Sequence, residues 1–175
     1  MSQDRPVDQG TFQGSVQRYR IGVLLYFRDE LGRVLLIRRS KAPNVGLWCA
    51  VGGKLEMASG ESPYECACRE GREEVGVKLE AGDLDLRCVL AEKEYEATGH
   101  WLMFVFQVKQ ALKSLPADID EGQFSFFQVG ELNSLAMPRF DRSVLLDRIL
   151  NPDAAKLHWI KMDERENQSV EEVLG

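Results

Sequence analysis

The chain has 175 residues, of which 44% are hydrophobic and 29% charged, a size and composition typical of one globular domain. The formal net charge of −6 argues against binding to nucleic-acid polymers, because binding along a phosphate backbone requires clustered lysine and arginine. The polar segment 1–17 lacks the apolar stretch of a signal peptide, and no run reaches the ~18–20 apolar residues of a membrane helix, so we expect a cytoplasmic protein without a membrane partner.

The predicted elements begin after residues 1–17, whose polar composition suggests a flexible lead-in. Residues 20–28 and 33–39 are apolar runs rich in strand-forming residues, and the turn at 29–32 between them predicts a β-hairpin. Residues 40–46 are expected to form a loop. A short apolar segment follows over residues 47–51 and ends at a pair of glycines, Gly52 and Gly53.

The clearest predicted element is a helix that begins at Ser62. Ser62 is an N-cap residue, Pro63 takes the first helical position and Glu65 the third, which together predict a capping box. Gly76 is expected to end the helix. Small and apolar residues recur at spacings of three and four and predict its inward face, which comprises Tyr64, Ala67, Cys68, Gly71 and Val75.

Downstream of this helix, residues 86–95 and 101–108 predict two strands, residues 109–123 a loop, and residues 124–129 a further strand. Residues 139–150 have the periodicity of a second amphipathic helix, whose predicted core face comprises Phe140, Val144, Leu145 and Ile149. Residues 151–175 are mostly charged apart from 157–160, and we interpret them as a C-terminal extension of a domain that spans residues 18–150. This order of elements predicts an α/β (α+β) fold, in which helices cover a mixed sheet.

Three glutamates of the first helix, Glu70, Glu73 and Glu74, lie at positions i, i+3 and i+4 and therefore share one face. Like charges at this spacing repel one another, so the cluster indicates a cation bound over it. Hard oxygen donors suit Mg²⁺, or alternatively Mn²⁺, and a backbone carbonyl of the Gly52-Gly53 turn can reach the same ion. The alternative interpretation is a solvated acidic face that Arg69 and Arg72 stabilise.

The same residues belong to a longer pattern between Gly52 and Val77. Seven residues after Glu61 the chain reads Arg69-Glu70-Gly71-Arg72-Glu73-Glu74-Val75-Gly76-Val77. This arrangement resembles the signature of the Nudix (MutT-like) hydrolase superfamily, and from Glu61 onward the spacing matches throughout. The sequence differs from that signature at two points: seven residues rather than five separate Gly53 from Glu61, and Gly71 replaces an apolar residue.

The resemblance implies a Nudix fold, an α/β/α sandwich around a mixed β-sheet, over about residues 18–150. It implies that Glu70, Glu73 and Glu74 bind Mg²⁺ and that Arg69 orients their carboxylates. Gly53, Glu61 and Gly76 would then shape the loop and the helix. The implied activity is hydrolysis of a diphosphate linkage in a nucleotide-type substrate, with either Glu70 or the loop residue Glu121 as general base.

Candidate substrate-binding residues flank the pattern. Arg38 and Arg39 end the second predicted strand and point to opposite faces, so at most one of them reaches a phosphate, while Lys54 can supply a further positive charge. The segment Gly46-Leu47-Trp48 resembles one found in MutT-like triphosphate pyrophosphohydrolases. Trp48 either stacks near a base or packs in the core.

Further candidates for reading the base lie near the second predicted helix: Phe126, Phe127, Phe140 and Asp141. The segment around Asp141 resembles the C-terminal region of Nudix members that hydrolyse oxidised nucleotides. Asp141 can read hydrogens on a base edge, or it can cap the helix that follows.

We therefore expect hydrolysis of a nucleoside triphosphate, including an oxidised one, to a monophosphate and diphosphate. The alternative substrate is ADP-ribose or another nucleoside diphosphate sugar, which the lengthened Gly53–Glu61 loop favours. Glu92, Glu94 and Glu96 alternate along a predicted strand, and they either add metal ligands for such a substrate or form a solvated face. A third hypothesis is a non-enzymatic Nudix-like module that senses a nucleotide. A monomer or a homodimer is expected in each case.

Overall fold

The computed structural model describes residues 19–95, 99–139, 141–142, 146–150, 157–163 and 168–174. The predicted lead-in over residues 1–17 lies outside these ranges, as do Glu96, Phe140, Val144 and Leu145. In the ranges that are described, no helix is both long enough and apolar enough to cross a bilayer.

The larger of two sheets has five strands and is mixed. Its order is β1-β5-β4-β7-β8, with parallel pairing of β1 with β5 and of β4 with β7, and antiparallel pairing of β4 with β5 and of β7 with β8. The strands are β1 (Tyr19–Tyr26), β4 (Leu84–Lys93), β5 (His100–Val108), β7 (Leu157–Asp163) and β8 (Gln168–Leu174).

The smaller sheet has three antiparallel strands with β2 at its centre. Its strands are β2 (Val34–Arg39), β3 (Trp48–Cys49) and β6 (Gly122–Phe127). The predicted β-hairpin over residues 20–39 is wrong beyond its turn, because β1 and β2 belong to different sheets. Only the turn is antiparallel: the Asp29 N–H donates to the Arg33 carbonyl at 3.0 Å, and the Leu35 N–H to the Phe27 carbonyl at 3.1 Å.

The predicted capping box is present at the start of α1 (Pro63–Glu70). The Ser62 hydroxyl accepts from the Glu65 N–H at 3.3 Å, and the Glu65 carboxylate accepts from the Ser62 N–H at 2.8 Å. A π-helical turn over Gly71–Val75 continues the helix, and Gly76 ends it in the left-handed conformation with φ of 76°. The predicted helix and its end are therefore confirmed, although its last turn is wider than that of an α-helix.

The two helices lie on opposite faces of the sheets, which confirms the predicted α/β/α sandwich. Because side chains alternate along a strand, β1 directs Val23 and Leu25 toward one core and Tyr26 toward another. The first core contains Cys66 and Ala67 of α1. The second contains the apolar residues of α2 (Leu146–Leu150), namely Leu146, Ile149 and Leu150.

The sequence pattern does not predict β7 and β8, which lie within residues 157–174. Ile160 and Met162 of β7 are buried in the same core as α2, and Lys93 of β4 forms an ion pair with Asp163 at 2.5 Å. Strand β7 therefore completes the hydrophobic core on the α2 side of the sheet.

Because Met162 is fully buried, Met162→Ala should lower the free energy of unfolding by about 2–5 kcal/mol. The matched control is Lys161→Ala on the same strand, where the side chain is exposed, and we expect a change within about 0.5 kcal/mol. Urea unfolding of both variants checks this. Equal stability of the two variants would contradict an integral role for β7.

Candidate active site

The Arg69 guanidinium is the centre of the hydrogen-bond network at the acidic helix. It donates to both oxygens of Glu61, from Nε at 2.8 Å and from Nη2 at 3.0 Å, and it donates to Glu70 at 2.7 Å and to Glu73 at 3.2 Å. A further bond reaches the Lys54 carbonyl at 3.0 Å. The hydrogen bonds from Arg69 hold the pKa of the Glu61 carboxyl at about 2, and these same carboxylates raise the pKa of Arg69. Glu61 thus connects the loop to the helix as an ion pair that stays charged.

Glu70 lies against the backbone of Gly53. A Cβ atom built on Gly53 would lie 2.0 Å from Glu70 Oε1, so only glycine allows this approach. Burial raises the pKa of Glu70, while the hydrogen bond and the charge of Arg69 oppose that rise. Gly53 and Arg69 together fix one carboxylate beside the Gly52-Gly53 turn.

Glu74 lies on the same side as Glu70, and Glu73 faces outward. The Gly52 N–H donates to Glu74 at 3.3 Å, whereas the Glu73 side chain is 51% exposed. Burial and the negative charge of Glu70 raise the pKa of Glu74 to about 7. The structure therefore brings Glu70, Glu74 and Gly52 together, with Glu73 at the edge of the cluster.

The donor chemistry of this cluster fits a divalent cation. The carboxylates of the buried Glu70 and the half-buried Glu74 repel each other, and a hard cation between them would remove the repulsion while accepting oxygen ligands. In the described part of the chain, however, no three acidic, histidine or cysteine side chains already converge on one point. Glu70 and Glu73 are instead held by Arg69.

The two additional residues of the Gly53–Glu61 loop do not displace the glycine turn. The Val23 N–H donates to the Gly53 carbonyl at 2.9 Å, and the Leu55 N–H donates to the Ile21 carbonyl at 3.0 Å, so this segment is attached to β1. The loop also contains a 3₁₀ turn over Met57–Ser59, whose residues are exposed to solvent. Lys54 and the glycines consequently stay beside the acidic cluster.

A cavity opens beside the glycine turn. Gly52, Gly53, Lys54 and Arg39 border it. The wall also includes three side chains that are almost completely buried, namely Glu92, Trp101 and Asp141. Tyr95 donates to the Asn44 side chain at 2.7 Å and joins two loops at the cavity wall.

Asp141 has a buried carboxyl group. Burial raises its pKa to about 7, so an appreciable fraction is neutral near neutral pH. A neutral carboxyl can donate one hydrogen bond and accept others, and an ionised one can only accept. Asp141 can therefore match a polar ligand edge in either state.

Of the other candidate residues from the sequence, some line the cavity and others do not. Arg39 lines it and donates to the Pro43 carbonyl at 2.7 Å, whereas Arg38 is exposed, which agrees with the expectation that only one of them faces the site. Trp48 and Phe127 pack against each other edge to face at 4.7 Å and do not border the cavity. Glu121 is an exposed ion-pair partner of Lys41 at 3.2 Å.

The sequence pattern does not point to Trp101 or to Arg20, which contacts the Trp101 ring, and it is compatible with either a buried or a solvated Glu92. Glu92 is 7% exposed and borders the cavity, so the solvated interpretation of this glutamate is wrong. Register explains both wall positions, because Glu92 of β4 pairs with Trp101 of β5. Nothing in the local sequence pattern indicates that pairing.

Comparison with known proteins identifies relatives of both the sequence and the fold. A family model described as NUDIX domain matches residues 18–147. The Nudix hydrolase YvcI of Bacillus subtilis (strain 168) is 30% identical over 114 residues, which are 65% of this chain and 69% of that protein.

Two solved structures share the fold. A MutT protein from Bacillus halodurans has a TM-score of 0.67 and 21% identity, over 88% of this chain and 97% of that one. The NUDIX domain of Shewanella oneidensis NrtR, solved with ADP ribose, has a TM-score of 0.61 and 18% identity, over 82% and 91%. At these identities the two structures are evidence for the fold alone.

Replacing the Arg69 guanidinium by the single ammonium group of lysine should break the bidentate contact with Glu61 while keeping the positive charge. We expect Arg69→Lys to lower the free energy of unfolding by about 1–3 kcal/mol, because buried acceptors lose their donors. Arg72→Lys, on the same helix but 68% exposed, should change it by less than about 0.5 kcal/mol. Chemical denaturation of both variants is the measurement, and similar losses in the two would contradict the central role of Arg69.

Asp141 should make stability dependent on pH. Its folded-state pKa lies above its unfolded value, so burial of the carboxyl costs nothing below pH ~4 and an increasing amount as the pH rises to about 7. Asp141→Asn removes that cost. Its gain in unfolding free energy over wild type should be larger at pH 8 than at pH 5 by about 2–3 kcal/mol. A gain that is independent of pH, measured by urea unfolding at both values, would contradict the raised pKa.

Proposed function

The chain belongs to the Nudix family, and from this premise we propose that it hydrolyses a nucleoside triphosphate to a monophosphate and diphosphate with Mg²⁺. As a Nudix hydrolase it is a pyrophosphohydrolase, and members of the family generally use divalent metal cations. The proposal concerns the substrate, the ion and the roles of the residues.

One observation carries the proposal: a single cavity borders the glycine turn at the acidic cluster and also contains a buried carboxyl at Asp141. A nucleotide has the same two parts, a phosphate chain and a base with polar edges. We propose that the phosphates lie at Gly52-Gly53 and that the base extends toward Asp141.

Positively charged side chains support this orientation. Arg39 and Lys54 both border the cavity near the acidic cluster, and either can donate to phosphate oxygens. Lys54 has its carbonyl bonded to Arg69, so its position is coupled to that of the carboxylates. Trp48 and Phe127 contribute packing in this arrangement, because they pair with each other outside the cavity.

We propose that Glu70, Glu73 and Glu74, with the Gly52 backbone, hold the cation, and that Arg69 orients their carboxylates. A bound divalent cation neutralises phosphate oxygens and lowers the pKa of an attacking water. The residues of the chain bind and orient the phosphates, and one carboxylate accepts the proton of that water. Glu70 lies beside Gly53 and accepts a hydrogen bond from Arg69, whereas Glu121 is exposed and its negative charge contributes to the raised pKa of Glu74; both remain candidates for this base.

The position of Glu92 in the cavity wall supports a second candidate substrate. It is a carboxylate outside the helix that borders the cavity, and such a group can add a metal ligand for ADP-ribose or another nucleoside diphosphate sugar. Product analysis distinguishes the two. A triphosphate would release diphosphate, whereas a diphosphate sugar would release a nucleoside monophosphate and a sugar phosphate.

Glu74→Gln should lower kcat/KM by about 100-fold or more, because it removes a charged oxygen donor from the acidic cluster. Glu80→Gln removes an exposed glutamate outside the cluster and should leave kcat/KM within about twofold. The measurement is product release in Mg²⁺ from a panel of nucleoside triphosphates, nucleoside diphosphate sugars and dinucleoside polyphosphates. If the wild-type protein cleaved only diphosphate sugars, the triphosphate proposal would fail.

A further inference from the structure

Two cations contact one aromatic ring, that of Trp101, which borders the cavity. The Arg20 Cζ atom is 5.5 Å from the centre of the Trp101 ring, and the Lys54 Nζ atom is 5.7 Å from it. Both distances are within the range of cation–π contacts. We call these three side chains the Trp101 cluster.

Strand pairing places the three residues together. Arg20 of β1 lies opposite Trp101 of β5, and Lys54 lies opposite Gly22, two residues further along β1. Arg20 and Gly22 face the same side of the sheet. A Cβ atom on Gly22 would lie 2.6 Å from the Gly53 carbonyl oxygen and 3.2 Å from the Met103 sulfur, so the absence of a side chain at Gly22 lets the Lys54 segment approach β1 closely.

The charges around the cluster include its two cations and the carboxylate of Glu92, which is buried on β4 opposite Trp101. Among the residues that the structure describes, neither Arg20 nor Lys54 forms an ion pair with a carboxylate, whereas Arg33, Lys41 and Lys93 each do. The indole ring has no net charge. Two positive charges beside an acidic cluster, in a chain of net charge −6, therefore form a local site that favours an anion.

We propose that the Trp101 cluster is an anion subsite that binds the departing diphosphate of the substrate, with Trp101 as the positioning residue for both cations. This inference rests on the proposed triphosphate hydrolysis. Lys54 and Trp101 border the cavity, and Arg20 lies about 7 Å beyond Gly22 along the strand. A linear anion with two phosphate groups can thus contact Lys54 and Arg20 together, which a single phosphate group does less well.

The backbone connects this subsite to the acidic helix. The Lys54 carbonyl accepts from Arg69 at 3.0 Å, and the adjacent Gly53 carbonyl accepts from Val23 of β1 at 2.9 Å. The main chain of Lys54 is therefore held on both sides, and its side chain lies over the Trp101 ring beside the cavity.

The test is direct binding of inorganic diphosphate in Mg²⁺ buffer, measured by isothermal titration calorimetry. Arg20→Gln should raise Kd about threefold to tenfold, and Arg20→Lys should restore most of the affinity, because the charge matters. Lys78→Gln removes an exposed lysine outside the cavity and should leave Kd within about twofold. The difference between wild type and Arg20→Gln should shrink in high salt, because screening weakens exposed charges. Arg20 is exposed, so its variants should fold, and equal melting temperatures verify this.

An unchanged Kd in Arg20→Gln, or no wild-type binding of diphosphate at millimolar concentration, would overturn the subsite. Binding requires no turnover, so the two proposals can fail separately. A wild-type protein that cleaves no triphosphate but loses diphosphate affinity in Arg20→Gln would keep the subsite and reject the substrate. Triphosphate cleavage with an unchanged Kd in that variant would do the reverse.

Discussion

The bidentate contact between Arg69 and Glu61 is the interaction on which the site depends. One guanidinium joins the end of the loop, the face of the helix and the carbonyl of Lys54, through bonds of 2.7–3.2 Å. A lysine cannot replace it, because a point charge on a flexible stem lacks the rigid fork that fits a carboxylate. The acidic helix tolerates its surplus of negative charge because the Arg69 guanidinium lies among its carboxylates.

Close backbone approach is the second constraint, and it explains why glycines accompany the glutamates. Gly53 leaves room for Glu70, and Gly22 leaves room for the Gly53 carbonyl, so two strands and a helix come together without intervening side chains. The lengthened Gly53–Glu61 loop continues beyond this contact and contains an exposed 3₁₀ turn over Met57–Ser59. Additional length in a surface turn is tolerated because the closure entropy of a loop grows slowly with its length.

Charge at the site is arranged on a finer scale than the net charge of the protein suggests. The chain is acidic overall, yet Arg39 and Lys54 border the cavity, and Arg20 contacts the Trp101 ring beside Lys54. Glu70 and Glu74 lie a short distance away and are partly withdrawn from water. A cleft with adjacent positive and negative groups suits a metal–polyphosphate complex, which also carries both signs of charge.

The sequence by itself determined the acidic helix, its capping box, its end at Gly76 and the shared side of Glu70 and Glu74, because these features depend on residues three to five positions apart. Tertiary structure decided the rest. The parallel pairing of β1 with β5 replaced a predicted hairpin, β7 and β8 joined the sheet from a charged C-terminal segment, and Arg39 rather than Arg38 faced the cavity. Glu92 and Trp101 became neighbours through the β4–β5 register. Helical periodicity depends on residues within about one turn of the same helix, so it can be read from a short stretch of sequence. Strand pairing and cavity walls depend on burial between segments that are far apart in the sequence, so a local pattern does not reveal them.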